Sequence, residues 1–196
     1  METGNIQTGN TASNRLVAVD LGLPSGTLWA DRNLGADIPE ACGDYFRFGE
    51  VVPFVQESDD YHLDKLPKDI AGTEYDAATT ILGEGWAIPT KGKIKELRRY
   101  CKMELLVNNN IFKGARFTGR NGNSIFLPST GLKHDFGEMS HMGYGEYWMS
   151  NQDIIGQGFG FNFKEFHFGY FYRYTGMQIR PVHANGNGYA RITRIE

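Results

Sequence analysis

The chain has 196 residues, of which 40% are hydrophobic and 22% charged; this is the size and composition of one large domain able to bury a core without disulfide or metal support. A formal net charge of −3 excludes general electrostatic attraction to nucleic acid or to an anionic membrane surface. No apolar run approaches the roughly 20 residues of a membrane-spanning helix, and 25 Gly beside 13 Phe, 10 Tyr and 3 Trp point to short strands joined by tight turns.

Residues 1–14 are polar and aperiodic and are expected to be disordered, leaving 15–196 as a single domain. They carry no charged-then-apolar signal peptide, so either export does not use that route or a signal has been removed. Short strands are predicted at Leu16–Val19, Thr27–Ala30 and Tyr45–Phe48, separated by Pro- and Gly-marked turns. The acidic, irregular stretch from Val52 to Gly72 reads as a surface loop. Glu74–Leu82 is a short helix ended by Gly83. Lys91–Glu104 is a second one, with Thr90 as N-cap and Ile94, Leu97, Cys101 and Leu105 as its apolar stripe. Its cations Lys91, Lys93, Lys95, Arg98 and Arg99, with Lys102, form a solvated face or a phosphate site.

Beyond that helix only strands and turns are expected. Asn121-Gly122 marks a hairpin between Ala115–Phe117 and Ser124–Leu127, a Gly- and Met-rich loop follows over 133–145, and Tyr147–Ser150 and Met177–Val182 read as core strands. Between them lies a ladder in which Phe159, Phe161 and Phe163 alternate at odd positions and Phe166, Phe168 and Tyr170 at even ones. A two-residue turn at Lys164-Glu165 pairs 163 with 166, 161 with 168 and 159 with 170, and so puts all six aromatics on one core-facing side. Gly160, Asn162, His167, Gly169 and Phe171 then face solvent, either as an ordinary sheet surface or as a recognition surface approached by another molecule.

Read in order, several segments resemble a bacterial family. They are Val19–Ala30 (VDLGLPSGTLWA), Asn33–Ala36, Gly43–Glu50 (GDYFRFGE), Tyr75–Ala78, Gly85–Thr90 (GWAIPT), Asn121–Pro128 (NGNSIFLP), Tyr147–Ser150 and Arg173–Val182 (RYTGMQIRPV). As a set they resemble the major paralogous domain family first named from Fibrobacter and common in Bacteroidetes, over about residues 16 to 183. The resemblance implies an α+β, C-type-lectin-like fold, with antiparallel β-sheets and two helices, similar also to formylglycine-generating enzymes. It implies a secreted, cell-surface or phage-virion setting and a binding or adhesion role. Some relatives are variable proteins of diversity-generating retroelements, and residues 144–174 lie where such a variable segment would fall.

Chemistry finds little purchase. The chain has no GxSxG, HExxH, P-loop or dinucleotide fingerprint, and His62, His134, His141, His167 and His183 show no metal-ligand spacing. His134, Asp135, Glu138 and His141 cluster in a Gly-rich stretch that reads as a solvated loop. Cys42 and Cys101 match no paired-cysteine motif and are expected to be buried free thiols, with a disulfide as the alternative. The calcium-chelating tripeptides of animal lectins are missing. The expectation is therefore a non-enzymatic binding module with no cofactor, whose partner is a protein or glycan on another cell or surface, not nucleic acid or membrane.

Its surface is assigned to the loop 150–158 and the outer side of 159–174. Tyr170, Phe171 and Tyr172 are the anchors, and Tyr147, Asn151, Gln152, Asp153, Asn162, His167 and Arg173 complete the set. Two other readings remain: a structural subunit of a surface or virion assembly, and a glycan hydrolase.

Overall fold

The computed structural model describes residues 16–54, 61–63, 65–134, 138–162 and 164–184; the expected disorder of 1–14, and the positions of Asp135 and Phe163, lie outside them. β1 (Ala18–Asp20) and β2 (Leu28–Ala30) pair antiparallel across the turn marked by Pro24 and Gly26. Tyr45–Phe48, predicted as a strand, makes only one bridge, from Phe46 to Met177, and Phe48 already enters a turn.

α1 (Ala77–Leu82) follows, capped at its N-terminus by Asp76 and ended at Gly83, where φ is 92°. After β3 (Trp86–Ala87) comes α2 (Lys91–Tyr100), whose N-cap Thr90 accepts the Lys93 N–H. Ile94 and Leu97 are buried as the apolar stripe requires. The helix stops at Cys101, and Leu105 belongs to the next strand. The three- and four-residue spacing continued across the boundary, but Met103-Glu104-Leu105-Leu106-Val107 satisfies its backbone better in a sheet.

That strand is β4 (Lys102–Asn108), which turns through Asn109 and Asn110, at φ 49° and 60°, into β5 (Ile111–Thr118). Two successive positive φ values make this a tight hairpin turn of the primed kind, for which Asn is well suited. β5 pairs in turn with β6 (Ser124–Pro128), the hairpin signalled by Asn121-Gly122. The stretch expected to be a loop over 133–145 contains a small ribbon, β7 (Leu132–Lys133) with β8 (Met139–Ser140).

β9 (Gly145–Gln152), β10 (Gly156–Phe161) and β11 (Phe166–Phe171) then form a three-stranded sheet in the order β11-β10-β9. Finally β12 (Val182–His183) inserts between β2 and β3, so both ends of the described chain share one four-stranded sheet, β1-β2-β12-β3. Every pairing between named strands is antiparallel. The architecture is α+β, mostly antiparallel sheet with two short helices.

The sheet of β9 and β10 lies between two apolar clusters. Tyr147, Met149, Phe159 and Phe161 face one, with Trp29, Ile94, Leu97 and Phe117. Trp148 faces the other, with Phe46, Phe48, Ile70, Ile88, Met177 and Ile179. β10 is buried at all six positions. Its sequence Gly-Gln-Gly-Phe-Gly-Phe suits this sandwiching, with rings on one face and glycines on the other.

Cys101 is buried, and burial pushes its thiol pKa up to about 11. Cys42, expected to be buried, is exposed, and both cysteines are free thiols. No helix among the described residues is long and apolar enough to cross a membrane.

Candidate functional site

The hairpin of β10 and β11 is present, but its register differs from the expected one by two residues. Phe161 faces Phe166, Phe159 faces Phe168 and Gln157 faces Tyr170. The turn is longer than two residues, because Asn162 remains outside both strands and its Oδ1 accepts the N–H groups of Lys164 and Glu165 at 2.7 and 3.1 Å. Asn162 is therefore a buried turn-former rather than a solvent-facing determinant. A shift of two preserves which side each residue faces. It also sets each even-numbered aromatic against a β10 residue two positions earlier than expected, so that Tyr170 faces Gln157 rather than Phe159.

The side expected to be the open recognition face is instead covered by the chain itself. Phe171 is half-buried and meets the Trp148 ring edge-on at 6.1 Å. A Cβ at Gly169 would lie 2.7 Å from the Phe171 ring, and one at Gly158 would lie 2.9 Å from it. The strand glycines thus mark a close approach, as such glycines do, but the approaching group is an internal ring.

His167 lies against Glu146, and a Cβ at Gly160 would meet both. Packing also takes Tyr147, Gln152 and Asn151 away from the surface. Tyr147 is fully buried, stacks on Phe159 at 5.3 Å and donates its hydroxyl to the Pro128 carbonyl at 2.7 Å. Gln152 is buried and donates to the Pro67 carbonyl at 2.7 Å. Asn151 is half-buried, and its Oδ1 accepts the Lys91 N–H at 2.7 Å, which fastens the start of α2 to the end of β9.

The side that does meet solvent carries Phe168, Tyr170 and, just past the strand, Tyr172, with relative exposures of 38, 61 and 62%. Tyr172 stacks on Tyr174 at 5.1 Å with an interplanar angle of 6°. The three-residue link between β9 and β10 places Asp153 and Ile154 in solvent nearby, Ile154 at 89% exposure. Arg173 ties this region together: one Nη donates to the Asp153 carbonyl and the other to the Leu63 carbonyl, each at 3.3 Å. Leu63 also lines an open cleft of about 510 Å³ with Glu50, His62, Glu74 and Tyr75. Lys91 and Arg98 of α2 hold their charges 5.3 and 6.0 Å from the centres of the Phe168 and Phe166 rings. Phe168 and Ile154 were missed by sequence reasoning, and Lys91 and Arg98 were singled out as a solvated face or phosphate site rather than as neighbours of these rings. Phe168 was assigned to the core by alternation alone, which gives the side of a strand but not how far the core extends along it.

A second arrangement missed in the sequence lies on the opposite side of β11. Glu146 is 1% exposed, and its Oε1 is 3.4 Å from His141 Nδ1 and 3.6 Å from His167 Nε2. No spacing rule joins residues 141, 146 and 167; the β9–β10–β11 register sets 146 and 167 on either side of Gly160, and the turn before β9 brings in His141. Among the described residues no three His, Cys, Asp or Glu side chains are arranged to hold a metal ion.

The Glu146 carboxylate raises the His167 pKa above its ordinary 6.5, burial opposing it and Glu165 adding to it. A histidine pKa raised in the folded state contributes stability that is complete below the unfolded value and is lost as pH rises through the folded one. Stability is therefore expected to fall from about pH 6.5 upward. Urea midpoints at pH 6 and pH 8.5, compared between the natural chain and Glu146→Gln, check this. An unchanged pH dependence in the variant would remove Glu146 as the cause.

Comparison with protein-family models, with curated proteins and with solved structures returned no match to this chain.

Proposed function

We propose that the chain is a non-enzymatic, C-type-lectin-like binding module that recognises a protein or glycan on another cell or surface, in an extracellular, cell-surface or virion setting. The observation that carries this reading is the row Phe168, Tyr170 and Tyr172, held in solvent along an edge strand while Phe171 between them is clamped on Trp148. Aromatic side chains presented on a rigid element add contact area at little cost in torsional freedom, and they are the usual energetic centres of interfaces. Asp153, Ile154 and Arg173 supply the rim. The lectin-like fold is supported by the two short helices and by the sheet that gathers both ends of the described chain.

The proposed diversification of residues 144–174 is narrowed by burial. Tyr147, Trp148, Phe159 and Phe161 are core residues, so tolerated variation would fall at Asp153, Ile154, Phe168, Tyr170 and Tyr172. A neighbouring template repeat and reverse-transcriptase gene at the locus are the expected finding, and their absence would end that part of the reading.

The binding test is a screen on glycan and bacterial-surface protein arrays, with and without EDTA, beside a Tyr170→Ala/Tyr172→Ala variant. Binding that ignores EDTA and falls at least about thirtyfold in the variant is expected, corresponding to about 2 kcal/mol from two anchors. Stability should change by less than about 0.5 kcal/mol, because both side chains are mostly exposed. Binding unchanged in the variant would overturn the assignment.

A further inference from the structure

The outer edge of β11 offers more than its side chains. Among the described residues β11 pairs only with β10, so along its other edge alternate backbone N–H and C=O groups have no strand partner. Six residues make an edge of about 20 Å. Proteins commonly blunt such edges with lysine, proline, inward charge or a bulge. Phe166-His167-Phe168-Gly169-Tyr170-Phe171 contains no Pro, Lys, Arg, Asp or Glu, and its pairing with β10 runs without a bulge. The register irregularity of this sheet lies on the far side, between β9 and β10.

The charge around this edge selects the occupant. On the ring-bearing side of β11, Lys91 lies over Phe168 and Arg98 over Phe166. α2 carries Lys91, Lys93, Lys95, Arg98 and Arg99 against Glu96 alone. A second copy joined edge to edge about a two-fold axis normal to the sheet would bring both α2 helices to the same side and set these cations against each other. An incoming strand with carboxylates faces attraction at the same place. Asp153 lies beside Gln157, the residue opposite Tyr170, so the attraction is concentrated at the Phe166–Phe168 half. The turn residues Lys164 and Glu165 offset each other in sign.

We propose that β11 is a docking edge for an extended, acidic segment of a partner protein, which adds to the sheet as a fourth strand beside β11. Backbone hydrogen bonds supply the affinity of such strand addition, and side chains at alternate positions supply the choice. Here Lys91 and Arg98 receive the carboxylates of the incoming strand on the ring-bearing side of β11, and its intervening apolar residues stand on the other side, beside Gly169 and Phe171. The inference rests on the reading of this surface as a binding site and names the protein rather than the glycan class of ligand.

The test exposes the full chain to an array of peptides about ten residues long, in which Glu, Gln or Lys alternates with Val, Ile or Thr. Glu members should bind at least about tenfold more tightly than Lys members. The Lys91→Glu/Arg98→Glu variant should reverse that order, an outcome that misfolding cannot imitate. Bound Glu peptide should also slow amide exchange within 166–171. Equal binding of Glu and Lys members, no binding of either, a preference untouched by the charge reversal, or no protection in β11 would each overturn the inference. If Tyr170→Ala/Tyr172→Ala still abolishes binding on the glycan and protein arrays, the binding-site reading stands without this one; if that variant binds like the natural chain, the broader reading is what has failed.

Discussion

Asp76→Ala should destabilise the protein by about 4 kcal/mol, from the loss of charged-acceptor hydrogen bonds and the orphaning of buried N–H groups. Asp76 is fully buried, and its carboxylate accepts four backbone N–H groups: Gly72 at 2.9 Å, Ala78 at 2.9 Å, Thr79 at 3.2 Å and Ile88 at 3.0 Å. One side chain thus caps α1 and holds together the loop before it and the strand after it. Alanine leaves all four donors without an acceptor in a place water reaches poorly. The connection runs on toward the site, because Ile88 is followed by Pro89, whose carbonyl accepts the Ser150 N–H of β9. Thermal unfolding should show a midpoint lowered by about 10 °C. Asp76→Asn, which keeps one acceptor oxygen but turns an amide toward the other donors, should fall between the two. A loss below about 1 kcal/mol for alanine would mean that water or local rearrangement satisfies those donors.

Trp148→Ala should cost a similar amount, about 4 kcal/mol, and should abolish binding at the β11 surface as well. The Trp148 ring is 1% exposed, its Nε1–H donates to the Phe46 carbonyl at 2.7 Å, and it meets Phe48 edge-on at 5.2 Å and Phe171 at 6.1 Å. Phe171 lies between Tyr170 and Tyr172 in the chain, so its seat on Trp148 determines which way those two rings point. Truncation opens a cavity in the second core cluster and frees the Phe171 ring at the same time. Amide exchange distinguishes local release from global loss: β11 should accelerate by more than β5, which packs in the other cluster. Trp148→Phe should retain the edge-on contact and lose mainly the hydrogen bond, with binding partly preserved. Equal acceleration in β5 and β11 would mean that Trp148 supports the whole fold without any special hold on the surface.

The parts of the fold legible in the sequence are those governed by neighbours along the chain. Helix α2 follows from a cap and an apolar stripe, the β5–β6 hairpin from Asn121-Gly122, and the end of α1 from Gly83. The boundary between α2 and β4 was missed because Leu105 continues a helical spacing although its neighbours favour a strand. The β10–β11 hairpin was read with its sides correct and its register off by two. Period-two alternation specifies the side, whereas register depends on how the turn is built, and here Asn162 enlarges the turn by capping it.

The candidate site divides along the same line. That aromatics of β11 would alternate between two environments is a property of the sequence by itself, as are the two short helices among many strands and the absence of any familiar catalytic motif. Which environment is solvent was decided only by tertiary structure. The fold stacks a second apolar cluster on the glycine side of β10, so Gly158 became interior and Phe171 and Gly169 half-buried, while the first cluster ends at Phe166 and leaves Phe168 and Tyr170 beyond it. The pairing of buried Glu146 with His141 and His167, and the cations of α2 beside the aromatic row, arise from elements far apart in sequence. Local patterning dictates the side on which a residue stands; only packing of the whole chain determines what stands opposite it.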